Sequence, residues 1–262
     1  MAWWKGNTDQ GELKEFLDQK VTLYNSASFI ETDPIQIPHQ FEDPRDIEIS
    51  AFLTATMAWG KKATIIANAA KLVSWMQDRP YEFIMEHDEV ELGRFLPFVH
   101  RTFNGMDCIY FLKALKNIYQ HHGGLREIFE KSYRSQGDIF HALVTFRELF
   151  FQLTDPGRTS KHLADISKGA SGKRLNMFLR WMVRYDARGV DFGIWQGIPM
   201  RALYIPLDVH TGNVARKLGL LKRTQNDWKA VIELTDRLRE FDPEDPIRYD
   251  FALFGLGSFE KF

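Results

Sequence analysis

The sequence predicts an all-α fold in two lobes, and three observations carry that prediction. Nearly every periodic apolar segment repeats at helical spacing. No pair of alternating β-branched runs is joined by an Asn-Gly or Asp-Gly turn, so sheet content is expected to be small. The 262 residues suffice for one large domain or two modest ones with real cores, and 44% hydrophobic against 26% charged residues is a soluble globular profile.

In chain order, the segment 11–27 places Leu13, Phe16, Leu17, Val21 and Leu23 on one helical stripe. Asp43-Pro44 is a strong helix start, and the apolar run Ile47–Trp59 follows it. Gly60-Lys61-Lys62 separates that helix from Ala63–Met76, which stops before Pro80. Tyr81–Met85, Asp107–Gln120, Leu125–Ser132 and Gln136–Leu153 continue the series, with Gly123-Gly124 and Asp155-Pro156-Gly157 as loop punctuation. Lys173–Tyr185, Val209–Leu220, Asn226–Phe241 and Ile247–Phe254 complete it. There are no internal repeats and no low-complexity tract. We expect residues 46–153 to form a helical bundle. Residues 1–45 are expected to pack on a second lobe, 154–262, leaving a cleft between the two.

Cys108 is the only cysteine, which rules out an internal disulfide and any zinc or iron–sulfur site built on several cysteines. A cytoplasmic setting fits that usage. No apolar run reaches bilayer-spanning length, so no membrane partner is expected, and the N-terminus is too polar for a secretory signal. Trp3 and Trp4 are expected to dock on the body of the protein.

The net charge of −1 is unevenly spread. Residues 161–223 hold twelve Lys/Arg against four Asp, a net +8, while the remaining 199 residues hold 22 Lys/Arg against 31 acids, a net −9. A basic stretch in an acidic chain is what an anion-binding face requires, and solvated helix faces would give the same count.

Within that stretch, Gly169-Ala-Ser-Gly172 is a tight turn where glycine permits positive φ and close approach of a phosphate to the backbone. Lys173 opens the helix that follows, where the helix dipole and neighbouring Arg174 both disfavour its charged form and so favour a nucleophile. A solvated surface lysine would look the same. Further on, Pro206-Leu207-Asp208-Val209-His210 puts Asp208 at the start of a helix, where it serves equally as an N-cap. An amine at one helix start and a carboxylate at another suit attack on a sugar carbon. The Asp208-x-His210 pattern also fits a metal site, but no second ligand cluster of the right spacing accompanies it, and no metal or other cofactor is expected.

LDVHTGNVARKLGL, followed by an amphipathic helix and DPIRYDFALFGLG, resembles the C-terminal half of the helix–hairpin–helix DNA glycosylase superfamily. KGASGKRLNMFLR is similar to the hairpin of the archaeal-type 8-oxoguanine glycosylases, with a glycine turn, a lysine and a helix ending in Phe178-Leu179-Arg180. The resemblance covers about residues 160–257, and more loosely the helix Glu48–Trp59. It implies a helix–hairpin–helix element, with Lys173 as the nucleophile and Asp208 as the catalytic aspartate. Three features depart from the pattern. Ser171 stands where the hairpin usually has its second glycine, with Gly172 one position later; the stretch between Lys173 and Asp208 is longer than usual; and the four-cysteine cluster of the endonuclease III branch is missing.

On that resemblance the expected activity is base-excision repair of damaged duplex DNA, with lysine-based strand cleavage and an oxidised purine such as 8-oxoguanine as substrate. Gly169 and Gly172 would hold a phosphate, and Arg174, Arg180, Arg184 and Lys217 would contact the DNA backbone. Trp195, Trp59 and Trp181 are the candidate walls of a pocket for the flipped base. Thr56 and Met57 are candidates to fill the gap it leaves. Three other classes compete. They are a DNA-binding protein on the same fold without chemistry, a metal-dependent hydrolase using Asp208, His210 and further histidines (His121, His122 or His162), and a helical interaction scaffold.

Overall fold

The computed structural model describes residues 9–262, and the Trp3–Trp4 expectation lies outside them. The described residues are mostly helical. They divide into two compact units, one built from the chain up to Phe29 together with Ile166–Phe262, the other from Ile30–Asp165.

In the Ile30–Asp165 unit, Asp33 accepts from Ile35 N to start a 3₁₀ turn at Pro34–Gln36, and a second follows at Pro38–Gln40. Asp43 then caps α3 (Pro44–Thr56) by accepting from Arg45 N at 2.8 Å, with Pro44 in the first turn where its missing N–H costs nothing. Every residue of α3 from Ile47 to Thr56 is buried, so this helix is the axis of its unit rather than a surface element. Around it lie α4 (Lys62–Trp75), α5 (Pro80–Glu86), α6 (Glu89–Gly93), α7 (Gly105–His121), α8 (Leu125–Gln136) and α9 (Ile139–Phe150). Reciprocal capping boxes, Asp88 with Glu91 and Asn104 with Asp107, start α6 and α7. A two-residue hairpin, β1 (Val99–His100) with β2 (Phe103–Asn104), leads into α7. The core is aromatic: Phe52, Phe111, Phe146 and Phe150 pack with ring centroids 4.7 to 6.0 Å apart.

In the other unit, α1 (Gln10–Tyr24) lies along α13 (Tyr249–Ser258), which also carries α11 (Val209–Lys217). Gly255 makes the α1–α13 approach possible, since a Cβ there would fall 2.1 Å from the Tyr24 ring. Helix α10 (Lys173–Val183) is buried without a break from Leu175 onward, and α12 (Trp228–Arg239) starts at an Asp227 cap. The long stretch between α10 and α11 is ordered. Phe192 N and Trp195 N donate to the end carbonyls of α10, Trp181 O at 2.8 Å and Met182 O at 2.9 Å. Chain that would otherwise leave helix-end acceptors unsatisfied is thus stitched onto them.

Two expectations are corrected. The N-terminal segment leaves its unit at Phe29 rather than at residue 45, because Phe29 packs edge-on against Phe251 and Phe254 while Pro34–Gln40 packs on α3 and α4. Residues 154–165 belong with the Ile30–Asp165 unit, tied down by Asp107. That buried carboxylate accepts from Arg158 Nη1 at 2.7 Å and Thr159 Oγ1 at 2.8 Å, and bonds His162 Nε2 at 3.1 Å.

Candidate functional site

The glycine turn is built as its residues demand. Gly169 (φ 86°) and Gly172 (φ 63°) both take the left-handed conformation, and a Cβ on Gly172 would lie 2.6 Å from Ile166 Cδ1. Trp228 N donates to Gly169 O at 3.0 Å, and Asn176 Nδ2 to Ser171 O at 3.2 Å, which fixes both ends of the turn. A single 3₁₀ turn, Ile166–Lys168, precedes it where the resemblance implied a helix, and α10 follows.

Lys173 is the first residue of α10 and is half-buried. Its ammonium donates to Met177 Sδ at 3.5 Å, a weak acceptor, and among the described residues it forms no ion pair. Asp208 N-caps α11, its Oδ1 accepting from Thr211 N at 3.0 Å. Its carbonyl accepts from Asn226 Nδ2 at 3.1 Å, and Asn226 is in turn held by Arg216 Nη2 at 2.6 Å. The aspartate therefore has a fixed backbone as well as a fixed side chain.

What links the two is a third residue that the sequence did not single out. Asp250, on α13, is buried, and its carboxyl is pushed up to about 6. Burial is the largest cause; Arg180 opposes it, Asp208 adds to it through repulsion, and Lys173 opposes it through attraction. Lys173, Asp208, Asp250 and Arg180 thus share one electrostatic neighbourhood within this unit.

The other expected site residues fare differently. Arg180 and Arg184, expected on the DNA backbone, are 4% and 2% exposed and committed to internal ion pairs. Arg180 bridges Asp191 Oδ1 (3.1 Å) and Asp250; Arg184 reaches Asp191 (3.0 Å), Asp186 (2.8 Å) and Asp245 (2.9 Å). Arg180, Arg184, Asp191 and Asp250 leave solvent together because each finds a partner of opposite sign. Arg174 is half-buried, with its guanidinium pressed downward by burial, and Lys217 is exposed, 5.9 Å from the Phe262 ring.

Trp181 and Trp195 are both 0% exposed and belong to the core around α10, so neither presents a face for a base to stack on. Trp59 lies in the Ile30–Asp165 unit, half-buried, edge-on to His100 at 4.8 Å and stacked with His162 at 6.0 Å. Thr56 and Met57 are buried at the end of α3, which removes them as residues that enter DNA. His121 and His122 lie in the Ile30–Asp165 unit, and no group of three or more His, Cys, Asp or Glu among the described residues is arranged to hold a metal ion.

Residues 33–259 match the model of a family described as a protein of unknown function, DUF2400. The chain belongs to that family. No curated protein and no solved structure matches it. Among the described residues, no helix is long and apolar enough to cross a membrane.

Proposed function

We propose that this DUF2400 member is a DNA base-excision glycosylase with lysine-based lyase activity, acting on an oxidised purine such as 8-oxoguanine. The observation that carries this reading is a lysine at the start of α10, with no ion pair among the described residues, in the same electrostatic neighbourhood as the helix-capping Asp208. A neutral amine attacks; an ion-paired ammonium does not.

In this account the damaged nucleotide leaves the stack, at a cost of roughly a few kcal/mol that the lesion lowers. Lys173 Nζ attacks the sugar C1′ and the base departs with the electrons of the glycosidic bond. The departed base takes a proton from the attached nitrogen, the C1′–O4′ bond breaks with its electrons leaving on O4′, which is protonated, and the resulting C1′=N Schiff base permits the elimination that cleaves the strand. Asp208, oriented by the hydrogen bond that its Oδ1 accepts from Thr211 N, stabilises the positive charge that develops on the sugar. The Gly169–Gly172 turn acts as the hairpin that approaches a phosphate, with Arg174 and Lys217 as the cations beside the DNA backbone.

Strand scission on a labelled duplex carrying 8-oxoguanine tests the proposal, with Lys173→Gln and Asp208→Asn alongside. Scission that both substitutions abolish is expected. Scission unaffected by Lys173→Gln would remove Lys173 as the nucleophile, and none on oxidised and abasic duplexes alike would leave DNA binding without chemistry as the better description.

A further inference from the structure

Residues 226–228 touch both halves of the candidate site. Asn226 Nδ2 donates to Asp208 O at 3.1 Å, where Gly212 N also donates at 2.9 Å. Two residues on, Trp228 N donates to Gly169 O at 3.0 Å, and Asp227 pairs with Ala170 in an antiparallel bridge. The turn held in this way runs through Gly172 directly into Lys173. One tripeptide therefore bonds the carbonyl of the aspartate at one helix start and the backbone of the turn that opens the other.

The tripeptide is itself anchored. Arg223 Nε donates to Asp227 Oδ1 at 2.7 Å, and the same oxygen accepts from Ala230 N at 3.0 Å to start α12. Arg216 Nη2 donates to Asn226 Oδ1 at 2.6 Å, and its Nε donates to Arg223 O at 2.8 Å. A guanidinium has donors only, so it takes the amide oxygen and turns Nδ2 toward Asp208 O; the flipped amide would set N–H against N–H. The positive charge also polarises the amide and strengthens the bond it donates. Gly212 leaves space for this contact, since a Cβ there would lie 2.8 Å from Asn226 Oδ1 and 2.9 Å from Arg216 Nη1.

A helix start needs none of this. The Asp208 side chain already accepts from Thr211 N, and its carbonyl already has Gly212 N as helical partner. What the additional bond fixes is where the aspartate stands relative to the glycine turn. We propose that Asn226 is a positioning residue: oriented by Arg216 and joined through Asp227 and Trp228 to the Gly169–Gly172 turn, it sets the place of Asp208 relative to the start of α10. Its effect on rate rests on Lys173 and Asp208 being the catalytic pair; its hold on Asp208 does not.

The test uses two variants of the full-length protein, Asn226→Ala and Gly212→Ala. Alanine is the better helix former, so Gly212→Ala keeps α11 while its methyl group displaces the Asn226 and Arg216 side chains. Neither variant alters a residue that the mechanism uses. In both, the Thr211 amide should exchange with solvent about tenfold faster by NMR, the scale of one lost hydrogen bond, while the amide of buried Leu253 in α13 stays as in the parent. On a duplex carrying 8-oxoguanine, single-turnover scission should slow by about tenfold or more with Kd changed by less than about twofold, because orientation is lost and binding is not. Thr211 exchange at the parent rate in both variants overturns the proposal, and so does scission at the parent rate once exchange has quickened. If Asn226→Ala does not fold, Gly212→Ala decides. If the parent protein cuts no duplex, the glycosylase reading falls, and the exchange rates alone decide whether Asn226 holds Asp208 in place.

Discussion

Arg184 offers the sharpest test of how the unit carrying the candidate site is held together. Its guanidinium is 2% exposed and meets three carboxylates, Asp186 at 2.8 Å, Asp191 at 3.0 Å and Asp245 at 2.9 Å. Arg184→Met keeps most of the volume and removes the charge. Asp191, 4% exposed, would then share Arg180 with Asp250, and Asp245 would lose the partner that now draws its carboxyl down against a burial that raises it. Breaking a buried pair by removing one partner costs about 3–5 kcal/mol, and that is the loss expected at pH 7. The deficit has a predictable pH dependence. The orphaned carboxyls are raised in the folded variant, whereas an unfolded Asp titrates near roughly 3.9. Below neutrality the folded variant therefore binds more protons than its unfolded chain, and its stability recovers as pH falls from 7 toward 5. Urea denaturation read by hydrogen exchange in peptides of α10 and residues 184–198 isolates this unit from the other. A deficit below about 1 kcal/mol, or one that does not shrink on acidification, would refute the assignment of these charges to one buried network.

Three further outcomes follow from the geometry. Gly172→Ala must hold a left-handed conformation and place its Cβ 2.6 Å from Ile166 Cδ1, so the urea midpoint should drop by the equivalent of about 1–2 kcal/mol, whereas Gly169→Ala, with open space around it, carries the conformational cost alone. Asp208→Ala loses the cap of α11 and about 1 kcal/mol, while Asp208→Asn keeps it; a thermal melt that separates the two identifies Asn as the clean variant for activity work. Because the Asp250 carboxyl is raised to about 6 in the fold and sits near roughly 3.9 when unfolded, the parent protein binds the extra proton more tightly folded than unfolded. Its stability relative to Asp250→Asn should fall as pH rises through that window, by on the order of 1 kcal/mol per pH unit, and a flat difference would show that the carboxyl is not raised.

Much of the helical order was legible, and where it was not the cause is local. Asp43-Pro44 marks the start of α3, and Gly60 separates it from α4, through residue types that act alone. Residues 136–153 read as one helix because the apolar spacing runs on, yet Gly137 at φ 74° ends α8 and Asp138 caps α9. The stop and start signals were present side by side and periodicity overrode them. Helix α2 (Ala27–Thr32), α6 and the β1–β2 hairpin are too short for any period to show, and the hairpin turns through Arg101 at φ 53° rather than through a glycine.

The candidate site divides the same way. Lys173 and Asp208 stand out because each sits where a turn gives way to a helix. Asp250 does not, since it falls inside the apolar helix α13 and its partner Arg180 is 70 residues away. Arg180, Arg184, Trp181 and Trp195 read as surface contacts because a basic residue or an aromatic in a polar stretch carries no record of what packs on it. Arg180 meets Asp250 and Phe251 of α13, and the long segment after α10 pairs with the carbonyls of Trp181 and Met182, contacts that have no sequence signature.

The central claim is a covalent bond between one lysine and a sugar carbon, and borohydride trapping reads that bond directly. Purified protein would be incubated with labelled duplexes carrying 8-oxoguanine, an abasic site or no lesion, reduced, and the adduct mapped by peptide mass spectrometry. The account predicts an adduct on the 8-oxoguanine duplex, located at Lys173 and lost in Lys173→Gln. No adduct on any duplex, or an adduct mapped to another lysine, would contradict it.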